Sequence, residues 1–167
     1  MSYTVLLVDD EPNVLDGLQR ALRKEPYLIL TATSAEIALE ILRMRAVDLV
    51  VSDYEMPGMH GTAFLAQVQR EFPEIMLFML TGKATPEIAV QAINDGAISH
   101  FFTKPCDMVA LAFTIEQTLH QRTSMQAARH LRQQGKCQAT PLEHVERRAP
   151  DITQESQLRG AATPGKE

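Results

Sequence analysis

The sequence predicts an α/β protein in which a parallel sheet is wrapped by helices. Two observations carry this. Five short apolar runs alternate with segments of helical periodicity, and the stronger runs are apolar at nearly every position instead of alternating with polar residues. Strands of that kind are buried on both faces, as in α/β sheets covered on each side. A third observation concerns function. The runs end in polar residues, and in open α/β sheets ligands bind beyond the carboxyl ends of the strands.

The first run, Tyr3 to Val8, stops at Asp9 and Asp10. Pro12 suits a first helical turn, and Leu15, Leu18 and Leu22 recur at helical spacing, predicting a helix to about Lys24. Tyr27 to Thr31 is the second run. Ser34 is placed to cap a helix whose stripe reads Ile37, Ala38, Ile41 and Leu42. The third run, Val47 to Ser52, ends at Asp53. Pro57, Gly58 and Gly61 mark a loop, and Phe64, Leu65 and Val68 lie on a helix that stops before Pro73.

Ile75 to Leu80 is the fourth run and ends at Thr81 and Gly82. Thr85 and Pro86 open the next predicted helix, with Ile88, Ala89, Ala92 and Ile93 facing inward and Gly96 at its end. A weaker fifth run, Ala97 to Phe102, leads to Lys104 and Pro105, and Met108, Leu111, Ala112, Ile115 and Leu119 form the stripe of a last helix. The domain is expected over 1–122 and a fading extension of its last helix over 123–134. Residues 135–167, poor in large apolar side chains, are expected to be a flexible tail.

Composition narrows the function classes. A net charge of −5 and a pI near 5.5 argue against bulk attraction to nucleic acid or anionic membrane. The two cysteines, Cys106 and Cys137, form neither a CxxC nor a zinc pattern, which fits a reduced, cytoplasmic setting. The apolar run before Asp9 is too short for a signal peptide or a membrane span.

Asp9, Asp10 and Asp53 would meet at one sheet edge, where three anions need a cation. A hard, oxygen-liganded ion such as Mg²⁺ suits them, and zinc does not, because His60 is the only His or Cys in these loops. Lys104 and Thr81 at the same edge point to a phosphoryl group. An aspartate attacks phosphorus to give an acyl phosphate, a lysine and a metal neutralise the equatorial oxygens, and a hydroxyl bonds one of them. Asp53, alone at its strand end, is the expected nucleophile, and Asp9 and Asp10 are the pair suited to the ion.

The segments LLVDDEP, VVSDYEMPGMHG, MLTGKA and HFFTKP occur in order, and with them residues 3–121 resemble the receiver domain of a bacterial two-component response regulator. The resemblance implies a flavodoxin-like, doubly wound (βα)5 fold with strand order 2-1-3-4-5. It implies Asp53 as phosphoacceptor, Asp10 as direct metal ligand, Asp9 as the second acid, and the backbone carbonyl of Glu55 in the Mg²⁺ shell. It makes Thr81 the switch hydroxyl, Lys104 the phosphate-contacting lysine joined to Pro105 by a cis bond, and Phe101 the aromatic that repacks on activation. Glu55 and Lys83 fall at positions that tune dephosphorylation.

The implied donor is a sensor histidine kinase or a histidine phosphotransfer protein. The implied output is a surface of the fourth helix, fifth strand and fifth helix that binds a partner or a second copy. The wording GAISHFFTKP most resembles receivers of hydrogenase-type and cyclic-dinucleotide phosphodiesterase regulators, which normally carry an output domain; none is visible here. Such a protein is a switch that catalyses only its own phosphorylation and dephosphorylation, with neither DNA nor membrane as a direct partner. Two competing readings are a Mg²⁺-dependent phosphatase of the haloacid-dehalogenase type and a receiver-fold module that is never phosphorylated. The first wants its nucleophile on the first strand, followed two residues later by an acid, whereas Asp53 ends the third; the second leaves the full set of acids, Thr81 and Lys104 without a purpose.

Overall fold

The computed structural model describes residues 2–82, 85, 87, 90, 93–94 and 98–137. Five parallel strands, β1 (Tyr3–Val8), β2 (Tyr27–Ala32), β3 (Leu49–Asp53), β4 (Met76–Thr81) and β5 (His100–Thr103), form one sheet in the order β2-β1-β3-β4-β5. This is the expected flavodoxin-like order. The described helices are α1 (Pro12–Leu22), α2 (Ala35–Met44), α3 (Gly61–Glu71) and a C-terminal helix, Met108–Cys137.

Each face of the sheet carries its own apolar layer, which is why the strands are apolar at consecutive positions. On one face Leu6, Val8, Val50, Leu77 and Met79 pack with Ala38, Leu39, Leu42, Phe64, Leu65 and Val68 of α2 and α3. On the other, Val5, Leu7, Leu49, Val51, Phe78 and Leu80 pack with Leu15, Leu18 and Leu22 of α1 and with Leu111, Ile115 and Leu119 of the C-terminal helix. β3 is buried along its whole length.

Local chemistry sets the helix ends. Pro12 opens α1, and the Ser34 hydroxyl accepts the Ile37 N–H at 3.2 Å. α1 stops at Leu22, two residues short of Lys24, and the Leu22 carbonyl accepts the Glu25 N–H at 3.0 Å in the turn that follows. The buried face of α2 is Ala35, Ala38, Leu39 and Leu42, whereas Ile37, expected to face inward, is exposed. Ile93, also expected inward, is exposed too. Lys83, Pro86, Ile88, Ala89, Ala92 and Gly96 lie outside the described residues.

The chain divides into two compact units, Met1–Thr123 and Ser124–Glu167, and the first holds the sheet. The C-terminal helix runs through Gly135 to Cys137, three residues into the segment expected to be a tail. A helical glycine costs only about 1 kcal/mol relative to alanine and does not by itself end a helix. The remainder of the expected tail, 138–167, lies outside the described residues. Among the described residues no helix is long and apolar enough to cross a membrane.

Candidate functional site at the carboxyl edge of the sheet

The strand order puts β1 beside β3, and β3 beside β4. The residues ending these strands therefore become neighbours although they are far apart in the chain. Asp9 and Asp10 follow β1, Asp53 ends β3, Thr81 ends β4 and Lys104 follows β5. Oxygen atoms of Asp9, Asp10 and Asp53, one from each carboxylate, lie within 4.8 Å of one another.

Asp9 is held firmly. It is 2% exposed, its Oδ1 accepts the Glu11 N–H at 2.9 Å, and its Oδ2 accepts from Lys104 Nζ at 2.8 Å. The same ammonium stands 3.4 Å from Asp53 Oδ1. One lysine thus bridges two buried carboxylates. Burial alone would lower the Lys104 pKa, but the bond and charge of Asp9, joined by Asp53, raise it, so the side chain stays cationic.

Asp53 is 5% exposed. Burial raises its pKa, the Lys104 charge opposes that, and the Asp9 charge adds to it, while the Glu55 N–H donates to its carboxylate. Among the described residues, this buried carboxylate faces two other acids and a single ammonium, which leaves it short of positive charge. The donor set is all oxygen and partly pre-bonded, which fits a hard divalent ion such as Mg²⁺ that takes one or two carboxylates, a carbonyl and waters.

Thr81 is 2% exposed, and its carbonyl accepts the Lys104 N–H at 2.7 Å, tying the ends of β4 and β5 together. The Lys104–Pro105 peptide is cis. Phe101 is partly buried against the α2–α3 layer, next to the strand end that carries Thr81. Glu55 is exposed, two residues beyond Asp53, and Lys83 lies outside the described residues. Beside the lysine an apolar cavity of about 390 Å³ opens between Val14 and Leu18 of α1 and Cys106 and Met108. Burial and the nearby Asp107 push the Cys106 thiol pKa up, which disfavours its thiolate form.

In the sequence Gly61 is a loop marker; in the structure it is the first residue of α3 and donates its N–H to the Tyr54 carbonyl at 3.0 Å. The pattern of two glycines in MPGMHG was the available signal. Gly58 has a φ of 85°, a conformation that favours glycine, whereas the demand at Gly61 is for space.

Comparison with known proteins agrees with this geometry. Residues 5–116 match the family described as the response regulator receiver domain. The chain is 38% identical over 117 residues to the transcriptional regulatory protein GlrR of Escherichia coli, covering 70% of this chain and 26% of that protein. It is 34% identical over 116 residues to the hydrogenase transcriptional regulatory protein HoxA of Cupriavidus necator, covering 70% of this chain and 24% of the relative. The signal receiver domain of an HD domain-containing protein from Pseudomonas fluorescens superposes with a TM-score of 0.70 at 34% identity, covering 74% of this chain and 99% of the other.

A five-stranded parallel sheet in this order, with acids, a threonine and a lysine on its carboxyl edge, defines a doubly wound, flavodoxin-like α/β domain. The chain belongs to the response regulator receiver domain family. It spans about a quarter of the length of the two curated relatives.

Proposed function

We propose that the chain accepts a phosphoryl group on Asp53 from the phosphohistidine of a sensor histidine kinase or a histidine phosphotransfer protein, and acts as a switch, with no metabolic substrate of its own. The observation that carries this is the bridge of Lys104 across Asp9 and Asp53, with Asp10 completing the acidic cluster. In the transfer, a carboxylate oxygen of Asp53 forms a bond to phosphorus while the phosphorus–nitrogen bond to the donor imidazole breaks, and the imidazole nitrogen keeps the electron pair.

Mg²⁺ held by Asp10, Asp53 and the Glu55 carbonyl, with Asp9 as the neighbouring acid, would neutralise charge on the phosphoryl oxygens. Lys104 reaches the same oxygens from the other side by releasing its hold on the carboxylates. The Thr81 hydroxyl closes on the group once it has arrived, and Phe101 repacks. That biases a pre-existing equilibrium on the surface formed by β5, the C-terminal helix and the segment between β4 and β5. Val109 and Phe113, exposed on the first turns of the C-terminal helix, offer that surface apolar contacts for a partner or a second copy. Glu55 and Lys83 are proposed to tune how fast water removes the group. A donor kinase would meet the chain in the cytoplasm.

The test uses the full chain with Mg²⁺ and a small acyl phosphate donor. The expected result is a mass gain of one phosphoryl group on Asp53, lost in Asp53→Asn and when the metal is chelated. Wild-type protein that gains no mass under these conditions overturns the reading.

A further inference from the structure

Gly61 stands against the backbone of the proposed phosphoacceptor. A Cβ built on it would collide with the Asp53 carbonyl oxygen, and would lie 2.7 Å from Tyr54 Cα and 2.9 Å from the Tyr54 carbonyl oxygen. Ordinary van der Waals contact begins at 3.4 Å. All three neighbours are backbone atoms, so no change of rotamer relieves the clash. By contrast, nothing lies within 4 Å of a Cβ built on Gly17, Gly58 or Gly82.

The peptide it touches is held from two sides. Tyr54 N–H donates to the Leu80 carbonyl of β4 at 2.8 Å, and the Tyr54 carbonyl accepts the Gly61 N–H at 3.0 Å. This peptide joins the residue bearing the reactive carboxylate to the stretch leading into Glu55, whose N–H donates to that carboxylate. From this we infer that Gly61 is a positioning residue for the chemistry at Asp53. Its missing side chain lets the first turn of α3 rest on the Asp53–Tyr54 peptide, and that contact sets the aim of the Asp53 carboxylate and of the Glu55 backbone together. The inference rests on Asp53 being the phosphoacceptor, but the contact itself does not.

A methyl group at position 61 must move either α3 or the 53–55 backbone by a sizeable fraction of an ångström. Misplacing a reacting group by about 1 Å is enough to cost roughly a hundredfold in rate. The test compares Gly61→Ala with Gly17→Ala, a helix position open to solvent, in the full chain. Circular dichroism monitors folding, calorimetric titration with Mg²⁺ reports metal affinity, and mass spectrometry follows phosphoryl uptake from a small acyl phosphate.

Gly61→Ala is expected to fold, to bind Mg²⁺ more weakly and to lose about a hundredfold in uptake rate, with Gly17→Ala matching wild type in both. A folded Gly61→Ala with wild-type metal affinity and uptake overturns the inference, as does an equal loss in Gly17→Ala. Where Gly61→Ala does not fold, wild-type amide spectra decide: the Gly61 amide is expected to shift on adding Mg²⁺ while Gly17 stays, and a stationary Gly61 overturns it. If wild-type protein takes up no phosphoryl group, the phosphoacceptor reading fails, while the metal and amide measurements still judge Gly61.

Discussion

Among the described residues, Lys104 bridges two of the three carboxylates at the sheet edge, Asp9 and Asp53, and the strain of burial falls on Asp53. Its pKa is raised by burial first and by Asp9 third, with Lys104 only partly compensating. An acid whose pKa is higher folded than unfolded contributes stability that is fully present below its unfolded value and is lost as the pH rises through the folded value. At neutral pH without metal, the ionised Asp53 is therefore a cost. Asp53→Asn is expected to raise the melting temperature of metal-free protein at neutral pH by several degrees, the scale on which about 1 kcal/mol registers in a domain of this size. The gain should shrink as the pH falls toward the carboxylate range, and should shrink in wild type's favour when Mg²⁺ is added. Thermal melts with chelator and with Mg²⁺ across that range check both signs. A melting point for Asp53→Asn below wild type in chelator at neutral pH would contradict the assignment of burial as the main cause.

At the scale of elements, α2 shows where periodicity runs out. Its sequence carries two overlapping apolar stripes. Ile37, Ala38, Ile41 and Leu42 make one, and Ala35, Ala38, Leu39 and Leu42 make the other. The helix buries the second, leaving Ile37 43% exposed and Leu39 5% exposed. Spacing alone cannot choose between stripes so close on the helix circumference; contact with Val47, Val50 and the α3 side chains does, and that contact is tertiary. Leu39→Ala is expected to cost about 2–5 kcal/mol and Ile37→Ala less than about 1 kcal/mol in urea unfolding, with equal costs arguing for the other face.

The same limit explains other differences. The strands and the residues at their ends were legible, because consecutive apolar residues followed by an acid, a hydroxyl or a lysine are local signals. The packing of Gly61 on Tyr54 depends on how a loop returns. That Lys104 grips Asp9 more closely than Asp53 is a matter of half an ångström or so, which no spacing in the sequence encodes.

Across the whole first unit, the two ends of the sheet do different work. The carboxyl edge gathers unbalanced charge, and the opposite edge holds a matched clasp. Arg122 Nη1 donates to Asp48 Oδ1 at 2.9 Å and to the Asp48 carbonyl at 3.1 Å, while Asp48 Oδ2 accepts the Thr4 N–H at 2.9 Å. Beside it the hydroxyls of Tyr3 and Thr123 share a hydrogen bond of 2.6 Å. Nothing local in the sequence marks this, since Arg122 and Asp48 are 74 residues apart. The clasp joins the start of β1, the approach to β3 and the C-terminal helix at the end of the compact unit.

Asp48 stands five residues before Asp53, the proposed phosphoacceptor, roughly 16 Å along β3 at about 3.3 Å per residue. Effects at that separation with no shared partner add independently. Arg122→Ala is therefore expected to lower stability by about 1–2 kcal/mol, less than a buried charged pair would give because Asp48 is a third exposed. It should leave Mg²⁺ affinity and phosphoryl uptake at Asp53 unchanged. Denaturant unfolding and an uptake assay on the same preparation separate the two. A loss of uptake matching the loss of stability would mean that the helix clasp and the acidic edge are coupled through β3, and the division of labour between the ends of the sheet would have to be abandoned.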